Sequence, residues 1–188
     1  MTKVRVFIEI EKHTNVKYEY CKEAKKLVID RILPYPYFYP YAYGFIPNTL
    51  APDNDEMDIL VITDRKLNRG VYYDAYIIGV LRMEDEKGED NKILCVLEED
   101  VERIRDIHDF DNDVKNSIVW FFSNYKSTSP GKWSHVYGLD NRDAANKIYE
   151  DSISDINATT VSNEIAAQFQ NNKNVLNTSG YTTIDYIV

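Results

Sequence analysis

Four carboxylates stand within six residues in Asp53-Asn54-Asp55-Glu56-Met57-Asp58, immediately before the apolar run Ile59-Leu60-Val61-Ile62. If the stretch leads into a strand at Asp58, Asp53 and Asp55 lie two apart and can point the same way, while the turn brings Asp58 beside them. Two carboxylates ~4 Å apart repel by roughly 4 kcal/mol at the effective dielectric found near a protein surface. Cations offset that repulsion, and an all-oxygen, carboxylate-rich set suits Mg2+, Mn2+ or Ca2+ better than softer metals. A solvated acidic loop is the plain alternative. An EF-hand is excluded, because its loop asks for an oxygen ligand at Met57, a glycine at Asp58 and a glutamate at Asp64.

The elements that must position these acids follow from periodicity. Val4, Val6, Ile8 and Ile10 alternate with Arg5, Phe7 and Glu9, which predicts a strand with Glu9 on the face opposite the aliphatic set. Val16 to Tyr20 reads as the return strand of a hairpin with Lys17 and Glu19 on one face, and Leu27 to Leu33 as a third strand carrying Arg31. Prolines and tyrosines alternate from Pro34 to Pro47, a rigid extended connection that is neither helix nor central strand. Strands are expected at Asp58 to Thr63, Tyr76 to Met83 and Ile93 to Leu97, and between the last two a second acidic cluster, Glu84 to Lys92, forms a hairpin tip at Gly88. Val114, Ile118, Phe121, Phe122 and Tyr125 keep helical spacing behind Asp111 as N-cap, and a second helix is expected from Asp140 with Ala144, Ala145 and Ile148 inward. About six strands followed by helices predict an α+β domain whose sheet curls into a small barrel. Beyond Ile156 the composition drifts to Asn, Thr and Ser, which reads as a linker, with a short amphipathic helix through Val161, Ile165 and Phe169 and a strand or docking tail at Tyr181 to Val188.

A chain of 188 residues is most naturally one domain with an appendage. Its net charge of -9 argues against general nucleic-acid binding, since no basic stripe is present to neutralise phosphates. Neither a signal core nor a membrane-length apolar run is seen, so a soluble cytoplasmic protein is expected, and Cys21 and Cys95 have no metal-ligand spacing. Asn157-Ala158-Thr159 and Asn177-Thr178-Ser179 are read as chance matches to the glycosylation pattern.

Over roughly residues 1 to 155 the chain resembles the soluble family I inorganic pyrophosphatases of bacterial type. The family's Asp-x-Asp-x-x-Asp signature is matched by Asp53 to Asp58, and Ile8-Glu9-Ile10, Lys17-Tyr18-Glu19, Asp30-Arg31, Phe38-Tyr39-Pro40, Tyr43-Gly44, Asp85, Gly88 to Lys92, Tyr125-Lys126 and Gly131-Lys132-Trp133 follow in family order. The resemblance implies a distorted five-stranded, OB-like β-barrel flanked by helices, Mg2+-dependent hydrolysis of pyrophosphate, with several divalent ions per active site, and a homo-oligomer, a hexamer by analogy with bacterial relatives. By the same match Asp53, Asp58, Asp85 and Asp90 are metal ligands and Asp55 is the general base. Lys17, Arg31, Tyr43, Tyr125 and Lys126 hold substrate phosphates, and Glu9, Glu19, Tyr39 and Lys92 support them. Residues 156–188 have no counterpart in the pattern and no assigned role. Two other readings stay open at this point: a non-catalytic metal- or phosphate-binding module, and a hydrolase of another phosphoanhydride, which no Gly-rich phosphate loop supports.

Overall fold

The computed structural model describes residues 1–178, and of residues 158, 161, 162 and 164–178 only the backbone. In chain order the strands are β1 (Lys3–Ile10), β2 (Val16–Cys21), β3 (Lys26–Ile32), β4 (Ala42–Ile46), β5 (Met57–Val61), β6 (Tyr72–Asp85), β7 (Gly88–Glu89), β8 (Lys92–Val96) and β9 (Ser134–Asn141). Two helices, α1 (Asn112–Asn124) and α2 (Arg142–Thr178), flank β9. The strands β1, β4, β5, β8 and β6 pair in that order, and β1 returns to β6, closing a ring of five. A closed ring leaves no free edge to template aggregation. Among the described residues only β5 and β8 run parallel.

The ring strands are buried on both faces, which is why β8 shows no polar alternation at all. Ile59, Val61, Ile93 and Cys95 turn to one layer, which Ala145 of α2 seals. Leu60, Leu94 and Val96 turn to the other, where they meet Ile118, Phe121 and Phe122 of α1. That aromatic layer is itself interlocked, with the Phe121 and Phe122 rings edge to face at 5.0 Å. Asp111 does occupy the α1 N-cap, although its side chain makes no capping bond.

Several expectations are corrected. β2 does not return along β1; it pairs with β3 in a separate two-stranded sheet, because both edges of β1 are taken by β4 and β6. The Pro/Tyr segment ends in a ring strand, β4, since Pro40 and Pro47 both fall outside Ala42–Ile46 and cost the ladder no donor. The helix expected from Asp140 begins at Arg142, and β9, hydrogen-bonded along β6 from Gly79 to Asp85, precedes it. The composition after Ile156 reads as a linker, yet the backbone stays helical to Thr178, a local pattern overridden by continuation of α2. The expected strand at Tyr181 to Val188 lies outside the described residues.

Candidate active site

Strand irregularities aim the polar side chains. The β1–β4 register slips between Ile8 and Ile10, leaving Glu9 as a bulged residue that departs from the ladder. Its carboxylate accepts the Tyr20 backbone N–H at 2.7 Å and so ties β1 to β2. A second slip, on β3, leaves Asp30 unpaired in the ladder and sets Lys17 directly opposite Arg31. Across the cleft, Thr49 anchors the acidic loop: its buried hydroxyl donates to the Ile46 carbonyl at 2.6 Å and accepts from the Met57 N–H at 2.9 Å. Within the loop Asn54 adopts φ 69°, and the Asp53 carboxylate accepts the Asp55 N–H at 3.2 Å. That turn carries Asp53 and Asp55 toward the start of β5, where Asp58 stands.

The result is one open cleft of about 390 Å³. Its walls include Glu9, Lys17, Glu19, Arg31, Tyr39, Tyr43, Asp53, Asp55, Asp58, Asp85, Asp90, Lys92, Tyr125 and Lys126, every residue singled out from the sequence. The tip of the acidic hairpin, Glu86 to Glu89, is exposed, but its flanks turn into the cleft: β6 delivers Asp85 buried, the short link from β7 to β8 delivers Asp90, and Lys92 opens β8.

Like charges are interleaved with opposite ones. The buried Lys92 ammonium sits between Asp58 and Asp90, and Lys126 binds Asp85 with Glu86 at 3.5 Å. Lys17 binds Glu19 and lies 3.2 Å from Asp30. Arg31 reaches Asp30 at 3.9 Å, while its Nε is buried without a hydrogen-bond partner among the described residues, leaving a guanidinium donor uncommitted in the cleft wall.

Protonation follows from burial against these charges. Burial pushes the Glu9 carboxyl up to about 8 against the Tyr20 bond, and the nearby Asp58 charge adds to the rise. Burial likewise lifts Asp90 to about 6 despite Lys92. For Lys92 burial pulls down, but Asp58 and Asp90 outweigh it, so the amine stays an ammonium. At Asp85 burial is overcome by Lys126 and the Lys87 N–H, which hold the carboxyl below its ordinary range. Burial keeps Tyr39, Tyr43 and Tyr125 neutral phenols, able to donate a hydrogen bond at any physiological pH.

The hard oxygen donors of Asp53, Asp55, Asp58, Asp85 and Asp90 fit divalent cations of the Mg2+ kind. Among the described residues no three acidic, histidine or cysteine side chains converge on one ion-sized point; ammonium groups separate the carboxylates in this arrangement.

Residues 6–157 match the family described as inorganic pyrophosphatase. The chain belongs to that family. An inorganic pyrophosphatase of Helicobacter pylori is 41% identical over 79% of this chain and 88% of its own. One from Nanoarchaeum equitans is 46% identical over 77% of this chain and 92% of its own. The solved structure of the Thermus thermophilus inorganic pyrophosphatase superposes with a TM-score of 0.79 at 40% identity, covering 82% of this chain and 91% of that one. The chain is thus a hydrolase with the OB-like barrel of the inorganic pyrophosphatases, and a divalent metal cofactor goes with the family.

Sequence reasoning did not single out Lys22, Asp30, Glu56, Glu86 and Lys132 as functional, although they line the same cleft. Asp30, Glu56 and Lys132 stand inside or beside motifs already singled out. Glu86 stands inside the second acidic cluster, and Lys22 alone of the five carries no local signal beyond its charge.

Proposed function

We propose that the chain hydrolyses inorganic pyrophosphate to two orthophosphates, with Mg2+ as the working cation and Mn2+ as a substitute. The observation that carries this reading is the single cleft in which five aspartates face Lys17, Arg31 and Lys126 in a member of the pyrophosphatase family. A diphosphate ion entering such a cleft needs both halves: cations to hold its oxygens, and carboxylates to hold the divalent ions that accompany it.

Asp53, Asp58, Asp85 and Asp90 are assigned to metal ligation. When bound, the divalent ions neutralise phosphate charge and lower the pKa of the attacking water. Asp55 takes the proton of that water. Burial would raise its carboxyl, but hydrogen bonds from Glu56 and Lys22 hold it below the usual range, so it enters the reaction as an ionised acceptor. Lys17, Arg31 and Lys126 clamp the phosphates, Arg31 through the planar fork of its guanidinium, the lysines as point charges. The neutral phenols of Tyr43 and Tyr125 donate to phosphate oxygens. Glu9, Glu19, Tyr39 and Lys92 support these groups from the cleft wall.

A cytoplasmic homo-oligomer, a hexamer as in bacterial relatives, completes the proposal. Free Cys21 and Cys95 support a reducing compartment, and exposed Ile29, Ile32, Tyr35 and Phe38 support self-association. The deciding experiment is orthophosphate release from pyrophosphate in the presence and absence of Mg2+, run on the wild-type chain and on Asp55→Asn. The substitution is expected to lower turnover by about 10²–10⁴-fold, the usual worth of a general base, while substrate still binds. An unchanged turnover number removes Asp55 from that role.

A further inference from the structure

The two halves of the cleft arrive on separate pieces of the fold. The β2–β3 hairpin presents Lys17 and Arg31, whereas the loop before β5 presents Asp53 and Asp55. Among the hydrogen bonds and ion pairs of the described residues, these two segments are joined through Lys22 alone. Lys22 stands in the turn between β2 and β3, and its ammonium lies 3.1 Å from Asp55 Oδ1 and 2.7 Å from Glu56 Oε2. The Glu56 N–H donates to the same Asp55 Oδ1 at 3.0 Å. Two donors on one oxygen fix the direction in which the carboxylate presents itself.

We propose that Lys22 is a positioning residue for the reaction: from the tip of the phosphate-binding hairpin it orients the Asp55 carboxylate. The proposal rests on the reading of Asp55 as the proton acceptor. Lys22 and Asp55 are 58% and 68% exposed at the side chain, and an ion pair in water contributes little to folding stability. Its removal therefore shows in the chemical step and leaves the fold intact. Orientation of a proton acceptor affects turnover more than ground-state binding, so kcat and KM separate this role from direct contact with substrate.

The test is steady-state pyrophosphate hydrolysis at saturating Mg2+ by Lys22→Gln, Lys22→Arg, Asp55→Asn and the Lys22→Gln/Asp55→Asn pair, with thermal unfolding of each. Lys22→Gln is expected to lower kcat about threefold to fivefold, as loss of one exposed charged hydrogen bond allows, with KM and the unfolding midpoint unmoved. Lys22→Arg, which keeps a cation within reach of both acids, recovers most of that loss. In the Asp55→Asn background Lys22→Gln has no further effect, since the group it orients is gone. An unchanged kcat in Lys22→Gln overturns the proposal, as does a raised KM at constant kcat, or full additivity with Asp55→Asn. Full turnover in Asp55→Asn instead removes the role of Asp55, and this proposal with it. Loss of turnover in that variant together with an inert Lys22→Gln leaves Asp55 standing and removes Lys22 only.

Discussion

Glu9 shows how one residue is set by its surroundings. The β1 bulge buries its carboxyl beside the Asp58 charge, and the folded chain holds its proton up to about pH 8, whereas a free glutamate releases it near 4.5. Between those values the native state binds more protons than the unfolded one, so the stability this group contributes is full below about pH 4.5 and is lost as pH rises toward 8. Glu9→Gln keeps an oxygen to accept the Tyr20 N–H but cannot ionise. In the metal-free chain the variant is expected to gain in thermal midpoint over wild type at pH 8 and not at pH 4.5. An offset equal at the two pH values would show that burial does not shift this carboxyl.

At the scale of elements, β1 and β4 must approach closely to place both Glu9 and Tyr43. Gly44 pairs with Ile8, and a Cβ at that position would lie 1.8 Å from the Phe7 carbonyl oxygen, a backbone atom that cannot turn away. Gly44→Ala therefore forces the two strands apart next to the bulge. A destabilisation of at least about 2 kcal/mol is expected, seen as a fall of about 4–8 °C in the thermal midpoint of a chain this size. A midpoint within a degree of wild type would mean the strands separate there without cost. Gly79 is confined in a similar way, since a Cβ there would lie 2.8 Å from Ile107 Cβ, but it stands on β6, away from the Glu9 bulge on β1.

For the whole molecule the question is where the working unit ends. The family match stops at residue 157, while α2 runs on to Thr178. Its first half is part of the core: Ala145 is fully buried, and the Ser152 carbonyl accepts the Leu50 N–H at 3.0 Å, just ahead of the acidic loop. We expect a chain ending at Asn157 to hydrolyse pyrophosphate within about twofold of the full chain, since among the described residues nothing past that point lines the cleft. A chain ending at Ile148 loses the Ser152 contact and is expected to lose activity together with thermal stability. Specific activity and unfolding of both truncations check this, and an Asn157 truncation as inactive as the shorter one would make the extension part of the catalytic unit.

Whereas the rest of the cleft set followed from the ordered match to the family's motifs, the acidic nest from Asp53 to Asp58 was legible in the sequence as a local feature, as were Lys17 and Glu19 on one face of an alternating strand. The ring strands β1, β5, β6 and β8 were legible for the same reason. Tertiary structure alone decided the partner of β2, the central place of β4 and the existence of β9, since pairing depends on which edges are free and not on the pattern of any one strand. It alone brought Lys22 to Asp55, thirty-three positions away along the chain, and it alone set the protonation of Glu9 and Asp90. Charge and periodicity are written residue by residue, whereas burial and proximity arise only when the ring closes.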